Sequence, residues 1–460
     1  MAQVITFGCK LNLYEGELIK KRAKEASLSE DIIILNTCSV TEEAEKEAIK
    51  KIRSLKRKNP NSNIVVTGCA AQVNSGAFAT MPEVSFVFGN KEKLGKEAYD
   101  IINNKGSYTA GENISDSTRY EDKIFLEARK GLRVESEKIM VNDIMSISET
   151  AGHMNHERAI VTDFENHTRG FVQIQNGCNH RCTFCIIPFA RGNSRSVPFG
   201  ELTLEISKLV ENGYKEIVLT GVDITDYGKD LPGDLTLGKM VKRLLKAVPN
   251  LERLRFSSID VAEVDRDIYE LVSNEPRFMP YFHISLQSGD DLILKRMKRR
   301  HTRVDVINFI KQVREIRPES AFGADIIAGF PTETEEQFNN SKNLISESEI
   351  SFCHIFSFSP HMGTAASKMP QVEKNVIKKR TNILIHEGKS QLIKNMQSMV
   401  GSYYDILLET NGSGGFTGRC ENFISGVLPF SSDVKQGQIV RAKATGLIGE
   451  KLQFEYKNVC

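Results

Sequence analysis

Three cysteines stand close together in Gly177-Cys178-Asn179-His180-Arg181-Cys182-Thr183-Phe184-Cys185, a C-x3-C-x2-C run. Three thiolates on one short loop can hold three corners of a cubane iron–sulfur cluster, whereas a cubane that only carries electrons takes four cysteines. The fourth iron is then open to a substrate. A second set, Cys9, Cys38 and Cys69, is spread widely upstream, so the sequence is read as holding two such clusters, each with one open iron. Zinc is the competing reading. Structural zinc wants four ligands, usually in two pairs, and here His180 falls inside the run instead of at zinc spacing beyond it. A disulfide framework belongs to small, cysteine-dense secreted chains; nine cysteines in 460 residues with no signal-peptide pattern point to a reducing, cytoplasmic setting. Cys353, Cys420 and Cys460 form no ligand set and are read as core, barrel and terminal thiols.

The first hundred residues alternate between two periods. Short apolar, β-branched runs at 4–7, 31–35 and 63–67 read as strands, and the stretches 14–26 and 41–58 between them read as helices, the second opened by a capping pair at Ser39 and Glu42. This order predicts a parallel, doubly wound sheet. Cys9, Cys38 and Cys69 each fall just past the carboxyl end of one of its three strands. Ligands gather at that edge in open α/β sheets, so topology would bring together residues far apart in sequence. Buried core thiols are the plainer explanation, but each cysteine stands in a turn-like context after its apolar run.

From Phe171 the alternation returns for six units, with strand-like runs at 171–174, 216–221, 253–256, 281–286, 323–328 and 351–358. Helical patterns separate them at 202–212, 237–247, 262–274, 303–316 and 335–347. Repeated β-α units predict a parallel sheet curling into a full or partial barrel. Cys178, Cys182 and Cys185 follow its first strand, at the carboxyl-terminal mouth where such barrels keep their active sites. The ends of the other strands supply Gly221, Asp223, Ser285, Gln287, Asp325 and Gly329 as candidate contacts for a ribose, an amino-acid head and an adenine. Glycine-rich strand ends are also ordinary turn chemistry.

The C-x3-C-x2-C run with Phe184 before its last cysteine resembles the radical S-adenosylmethionine signature, and the upstream triad resembles that of the methylthiotransferases. The family consists of an amino-terminal methylthiotransferase domain, a radical barrel and a carboxyl-terminal TRAM domain, expected here at 1–106, 167–400 and 401–460, with a linker or insertion at 107–166. Phe7-Gly8-Cys9-Lys10-Leu11-Asn12, the stretch from Cys182 to Gly192 and Phe358-Ser359-Pro360-His361-Met362-Gly363-Thr364 look most like the branch acting on threonylcarbamoyladenosine in tRNA. Other branches act on isopentenyladenosine or on a ribosomal protein.

The resemblance implies a transferase with two [4Fe–4S] clusters and S-adenosylmethionine, taking one electron from a reductase or flavodoxin-type donor. A 5′-deoxyadenosyl radical made at the barrel cluster would remove hydrogen from C2 of the modified adenosine beside the anticodon. The cluster at Cys9, Cys38 and Cys69 would deliver the methylated sulfur. A non-catalytic iron–sulfur module that binds RNA is the rival of a different class.

The last sixty residues carry short alternating strands at 403–409, 418–423, 426–428, 439–444 and 451–456, which predicts a small antiparallel β-barrel. Such barrels bind RNA through aromatic and basic side chains, and Arg419, Asn422, Phe423, Arg441 and Lys443 are candidates. The basic run from Lys295 to His301, with Arg296, Arg299 and Arg300, is the better of two phosphate-binding candidates. The other, from Lys50 to Lys58, reads equally well as a solvated helix face. A net charge of +2 leaves any polyanion partner to local patches such as these. No apolar run approaches the roughly 20 residues of a membrane helix. The linker is acidic-leaning and weakly periodic, and its apolar run Ile124-Phe125-Leu126 is a candidate docking element.

Overall fold

A computed structural model describes residues 2–39, 41–104, 138–147, 160–165, 167–412 and 414–457. The chain divides into two compact units. One is Met1–Val161 with Gln175–Arg181 and Cys185–Val197; the other is Thr162–Ile174, Cys182–Phe184 and Pro198–Cys460.

In the first unit the strands Gln3–Thr6, Ile32–Thr37, Asn63–Gly68, Val84–Phe88 and Ile139–Met140 form one parallel sheet in chain order. Ile32–Thr37 is buried on both faces, which is why it reads as an unbroken apolar run rather than an alternating one. Ile33, Leu35, Ile64 and Val66 pack on one side with Ile52 and Leu55 of the helix Glu42–Lys58. Ile32, Ile34, Val65, Phe86 and Phe88 pack on the other with Ile19 and Ala23 of the helix Lys10–Glu25. Helices therefore cover both faces, as expected. The second helix is capped by Thr41 and not by Ser39: it starts at Glu42, so the Thr41 hydroxyl holds the N-cap position and accepts from the Ala44 N–H at 3.2 Å. The fifth strand comes from the stretch read as a linker; its weak periodicity hid a two-residue edge strand. The run at 124–126 lies outside the described residues.

In the second unit six parallel strands follow in order: Arg169–Gln173, Glu216–Thr220, Arg253–Phe256 continuing as Ser258–Ile259, Tyr281–Gln287, Ala321–Ala328 and Phe352–Ser357. They match the six runs seen in the sequence, and helices such as Phe199–Glu211, Leu237–Ala247 and Arg303–Ile316 connect them, making a partial β/α barrel. A 26-residue helix, Lys374–Met399, leads out of it. Met396 and Met399 at its end enter the core of a closed five-stranded barrel formed by residues 403–456.

Two details of that small barrel differ from expectation. Ser425–Leu428 pairs parallel with Lys451–Tyr456 to close it, where all-antiparallel pairing was expected. The run at 418–423 is not a strand: the strand is Gly415–Arg419, and the chain then turns, with Phe423 at φ 73° and its N–H on the Cys420 carbonyl at 3.0 Å.

Candidate iron–sulfur and cofactor sites

Cys9, Cys38 and Cys69 follow the carboxyl ends of three strands adjacent in the sheet. Neighbouring strands lie about 4.8 Å apart, so adjacency alone draws the three turns together. Two glycines allow the close approach. At Gly8, φ 93°, an added Cβ would lie 2.7 Å from Cys38 Sγ; at Gly68, φ 98°, it would lie 2.3 Å from the Thr37 carbonyl oxygen. Cys38 and Cys69 are buried and Cys9 is exposed, an arrangement with one open side.

A buried polar network surrounds this edge, and sequence reasoning did not find it. Arg191 lies on the short helix Ile187–Arg191, immediately after the second cysteine run. Its Nε donates to Cys69 Sγ at 3.2 Å. Its Nη1 donates to Glu15 Oε1 at 2.7 Å and Asn176 Oδ1 at 3.1 Å, and its Nη2 to Asn12 Oδ1 at 2.6 Å and Glu15 Oε2 at 2.9 Å. Lys93 Nζ donates to Glu15, Asn36 and Asn90, and Asn90 Nδ2 faces Cys69 Sγ at 3.7 Å. Burial by itself would raise the pKa of Glu15, but Arg191 and then Lys93 outweigh it and hold the carboxyl at about 2. Burial also works against the charge of Arg191, and the Cys69 and Glu15 charges overcome it, leaving its pKa well above the ordinary value. Donors and net positive charge aimed at thiolates fit an anionic metal–sulfur centre. The only sequence cue was a pair of polar residues, Asn12 and Glu15, on the inner face of the helix that follows Cys9.

The second triad lies on one loop. Its first part is laced to the returning chain: Gln175–Asn176 pairs with Arg195–Ser196, Cys178 N–H donates to the Gly192 carbonyl at 3.0 Å, and Ser194 N–H donates to Asn179 Oδ1 at 3.0 Å. Arg181 spans Cys178 and Asn193, reaching the carbonyl of one and the side chain of the other at 2.8 Å each. Cys182 Sγ accepts from Arg299 Nη1 at 3.7 Å. Thr183 is pinned by its N–H to the Met297 carbonyl, its hydroxyl to the Arg296 carbonyl at 2.8 Å and its own carbonyl to Ala366 N–H at 2.8 Å. Phe184 meets the edge of Phe330.

The candidate cofactor contacts belong to the barrel unit. Gly221 and Asp223 follow the strand Glu216–Thr220, and Asp223 accepts from the Thr225 hydroxyl at 2.8 Å. Ser285 and Gln287 lie at an irregularity in their strand, with Gln287 at φ 70°. The Ser285 carbonyl is already taken by Arg299 at 2.9 Å. Gly329 N–H donates to Glu333 Oε2 at 3.0 Å. Asp325 is placed differently from the rest: it lies within the strand Ala321–Ala328, beside His283 at 2.9 Å and His354 at 3.3 Å. Burial would raise its pKa, but the two imidazoles hold it below the ordinary range.

Several of the basic residues expected to meet RNA are tied to partners within the chain. Arg296 donates to the Thr332 hydroxyl at 2.8 Å, Arg299 pairs with Asp260 at 2.9 Å, and Arg300 with Asp260 and Glu263. Lys295, Lys298 and Arg300 of that run are exposed. Arg419 pairs with Glu409 at 3.3 Å and covers the ring of Phe423, and Asn422 is buried. Lys443 remains exposed, its Nζ 5.9 Å from the ring of Tyr403, which Lys457 approaches to 5.2 Å. A charge run shows in sequence; the acidic residues that fold against it from distant strands do not. Of the unassigned thiols, burial pushes half-buried Cys353 up to about 12 and buried Cys420 higher still; Cys460 lies outside the described residues.

A curled parallel sheet whose first strand runs into a three-cysteine loop defines a radical S-adenosylmethionine protein, and residues 172–345 match the Radical SAM superfamily. Residues 1–89 match the family described as Uncharacterized protein family UPF0004. A threonylcarbamoyladenosine tRNA methylthiotransferase of Rickettsia prowazekii is 45% identical over 97% of this chain and 95% of its own. The enzyme of that name from Bacillus subtilis is 32% identical over 95% and 92%. A tRNA-2-methylthio-N(6)-dimethylallyladenosine synthase of Clostridium botulinum is 29% identical over 97% and 96%. Among solved structures, the radical S-adenosylmethionine methyltransferase TsrM of Kitasatospora setae, with cobalamin and a [4Fe–4S] cluster bound, superposes with a TM-score of 0.50 at 16% identity, covering 76% of this chain and 68% of that one. The likeness is one of fold. The chain belongs to the threonylcarbamoyladenosine tRNA methylthiotransferase family, and S-adenosylmethionine and [4Fe–4S] clusters are its cofactors. Among the described residues no helix is long and apolar enough to cross a membrane.

Proposed function

We propose that this protein methylthiolates C2 of threonylcarbamoyladenosine beside the anticodon of tRNA, giving the 2-methylthio derivative. The observation that carries the reading is the pair of cysteine triads, Cys178, Cys182 and Cys185 after the first barrel strand and Cys9, Cys38 and Cys69 at three adjacent strand ends. The names of the relatives at 45% and 32% identity support the choice of nucleoside. When bound, the clusters and S-adenosylmethionine supply the radical chemistry that an aryl C–H demands and the sulfur it receives. The chain's own residues do the rest. The six cysteines hold the clusters. Gly221, Asp223, Ser285, Gln287 and Gly329 line strand ends suited to the nucleoside and amino-acid parts of S-adenosylmethionine, and Thr183 fixes the loop between Cys182 and Cys185. On the small barrel, exposed Tyr403 with Lys443 and Lys457 offers a ring for a base and two ammonium groups for phosphates. A reductase or flavodoxin-type donor supplies the electron, and the setting is cytoplasmic.

The test is mass spectrometry of nucleosides from bulk tRNA of cells with and without the gene. Loss of 2-methylthio-threonylcarbamoyladenosine alone, with its unthiolated precursor accumulating, is the expected result. An unchanged profile sinks the reading and points to a protein substrate or a non-catalytic role; loss of the isopentenyl derivative reassigns the substrate.

A further inference from the structure

We infer that Arg191, acting with Glu15 and Lys93, is a positioning residue that sets the reduction potential of the cluster held by Cys9, Cys38 and Cys69. The inference rests on that triad holding a cluster.

The hydrogen bonds fix the charges. A guanidinium has five N–H donors and an ammonium three. Arg191 places all five, on Cys69 Sγ, both oxygens of Glu15, Asn176 and Asn12. Lys93 places three, on Glu15, Asn36 and Asn90. Both are thus cations, and they share a single carboxylate. Arg191, Glu15 and Lys93 are each at most 2% exposed, so this trio carries one net positive charge, buried beside Cys69.

A purely structural ion pair would not leave that surplus, because an unmatched buried charge costs several kcal/mol. A cubane in its usual oxidised form, ligated by three thiolates, carries one net negative charge and offsets it. The Nε of Arg191 is directed at a ligand sulfur, and Asn90 Nδ2 faces the same atom. Net charge, hydrogen bonds to sulfur and burial are the levers by which a protein sets cluster potential. All three are present at Cys69.

The experiment uses the full chain with Cys178, Cys182 and Cys185 replaced by Ala, so that only the upstream cluster remains, reconstituted anaerobically and titrated potentiometrically with EPR detection. Arg191→Gln removes the cation and the directed N–H and should lower the midpoint, with at least a tenfold change in the one-electron equilibrium, about 59 mV. Glu15→Gln removes the anion and should raise it. Opposite shifts are the signature, since loosened packing would not move the two variants in opposite senses. Midpoints that stay put, or move together, at full iron content overturn the inference. If Arg191→Gln holds no iron, Glu15→Gln decides alone, and a midpoint not raised is fatal. A parent triple variant without iron overturns the cluster itself, and this inference with it.

Discussion

The ring of Phe423 lies on the ring of Tyr281, with centroids 4.5 Å apart and planes 21° from parallel. Tyr281 opens a strand of the parallel barrel and Phe423 sits in a turn of the small carboxyl-terminal barrel, so the stack joins the two within one unit. Three guanidinium groups surround the same phenyl ring, those of Arg419, Arg255 and Arg169 at 4.2, 5.1 and 5.5 Å from its centroid. Arg255 also donates to the Glu421 carbonyl at 2.8 Å, and Arg253 to that of Asp405 at 2.8 Å. The small barrel is thus fixed to the amino-terminal ends of the strands, away from the ends that carry the cofactor candidates.

Phe423→Ala removes the stack and the ring that three cations share. Truncating a fully buried Phe costs about 3–5 kcal/mol; Phe423 is partly exposed, so a loss of about 2–4 kcal/mol is expected in urea unfolding, with cluster iron content unchanged. A loss below about 0.5 kcal/mol, the range of ordinary surface substitutions, would show that the turn does not hold the barrels together.

Glu216 lies beneath this layer, fully buried, with Arg255 Nε at 3.0 Å and Arg253 Nη1 at 3.7 Å. Burial alone would raise its pKa, but Arg255, then Arg169 and Arg253, bring it down from 4.5 to about 2. Because the folded value is depressed, the stability it contributes is present above the unfolded value and is lost as pH falls from 4.5 toward 2. Glu216→Gln should therefore cost about 3–5 kcal/mol at neutral pH, the usual result of leaving a buried charge unpaired. The gap from the parent should narrow as pH is lowered through that window. A gap independent of pH would mean that the carboxylate charge is not what stabilises the layer.

Six barrel strands and three amino-terminal strands were legible in the sequence, because each depends on a local period, and the six candidate cysteines stood out by their places after those strands. Less legible was everything that distant residues do to one another. Arg191 stands in a motif visible by eye, yet its partner Glu15 is 176 residues away, and Lys93, which shares that carboxylate, is 98 away; both look like solvated helix charges. Arg299 and Arg300 look like phosphate contacts because Asp260, which binds them, arrives from another strand end. Phe423 looked like a strand residue because its left-handed φ leaves no mark on apolar patterning.

Tyr403, 42% exposed between Lys443 and Lys457, presents an aromatic ring and cations outward on the small barrel. Tyr403→Ala should weaken tRNA binding by about 1–3 kcal/mol, the value of one base stacked on a ring. Lys443→Gln and Lys457→Gln should each lower the salt slope of log K by about one, for all tRNAs alike. Filter binding across a salt series measures both. Unchanged affinity and slope in all three variants would place the RNA surface elsewhere.

The proposed function gives the two triads separate tasks, and cysteine replacement should separate them. Cys182 accepts from Arg299 on the barrel, and Cys38 lies against the Gly8 turn of the amino-terminal sheet. Each variant should retain about half of the roughly eight irons that two cubanes hold. Cys182→Ala should abolish reductive cleavage of S-adenosylmethionine and, with it, thiolation of tRNA. Cys38→Ala should keep cleavage, seen as 5′-deoxyadenosine, and lose thiolation. Iron content measured beside both products gives the answer directly: cleavage surviving Cys182→Ala would remove the barrel loop from the radical step, and thiolation surviving Cys38→Ala would remove the upstream triad from sulfur transfer.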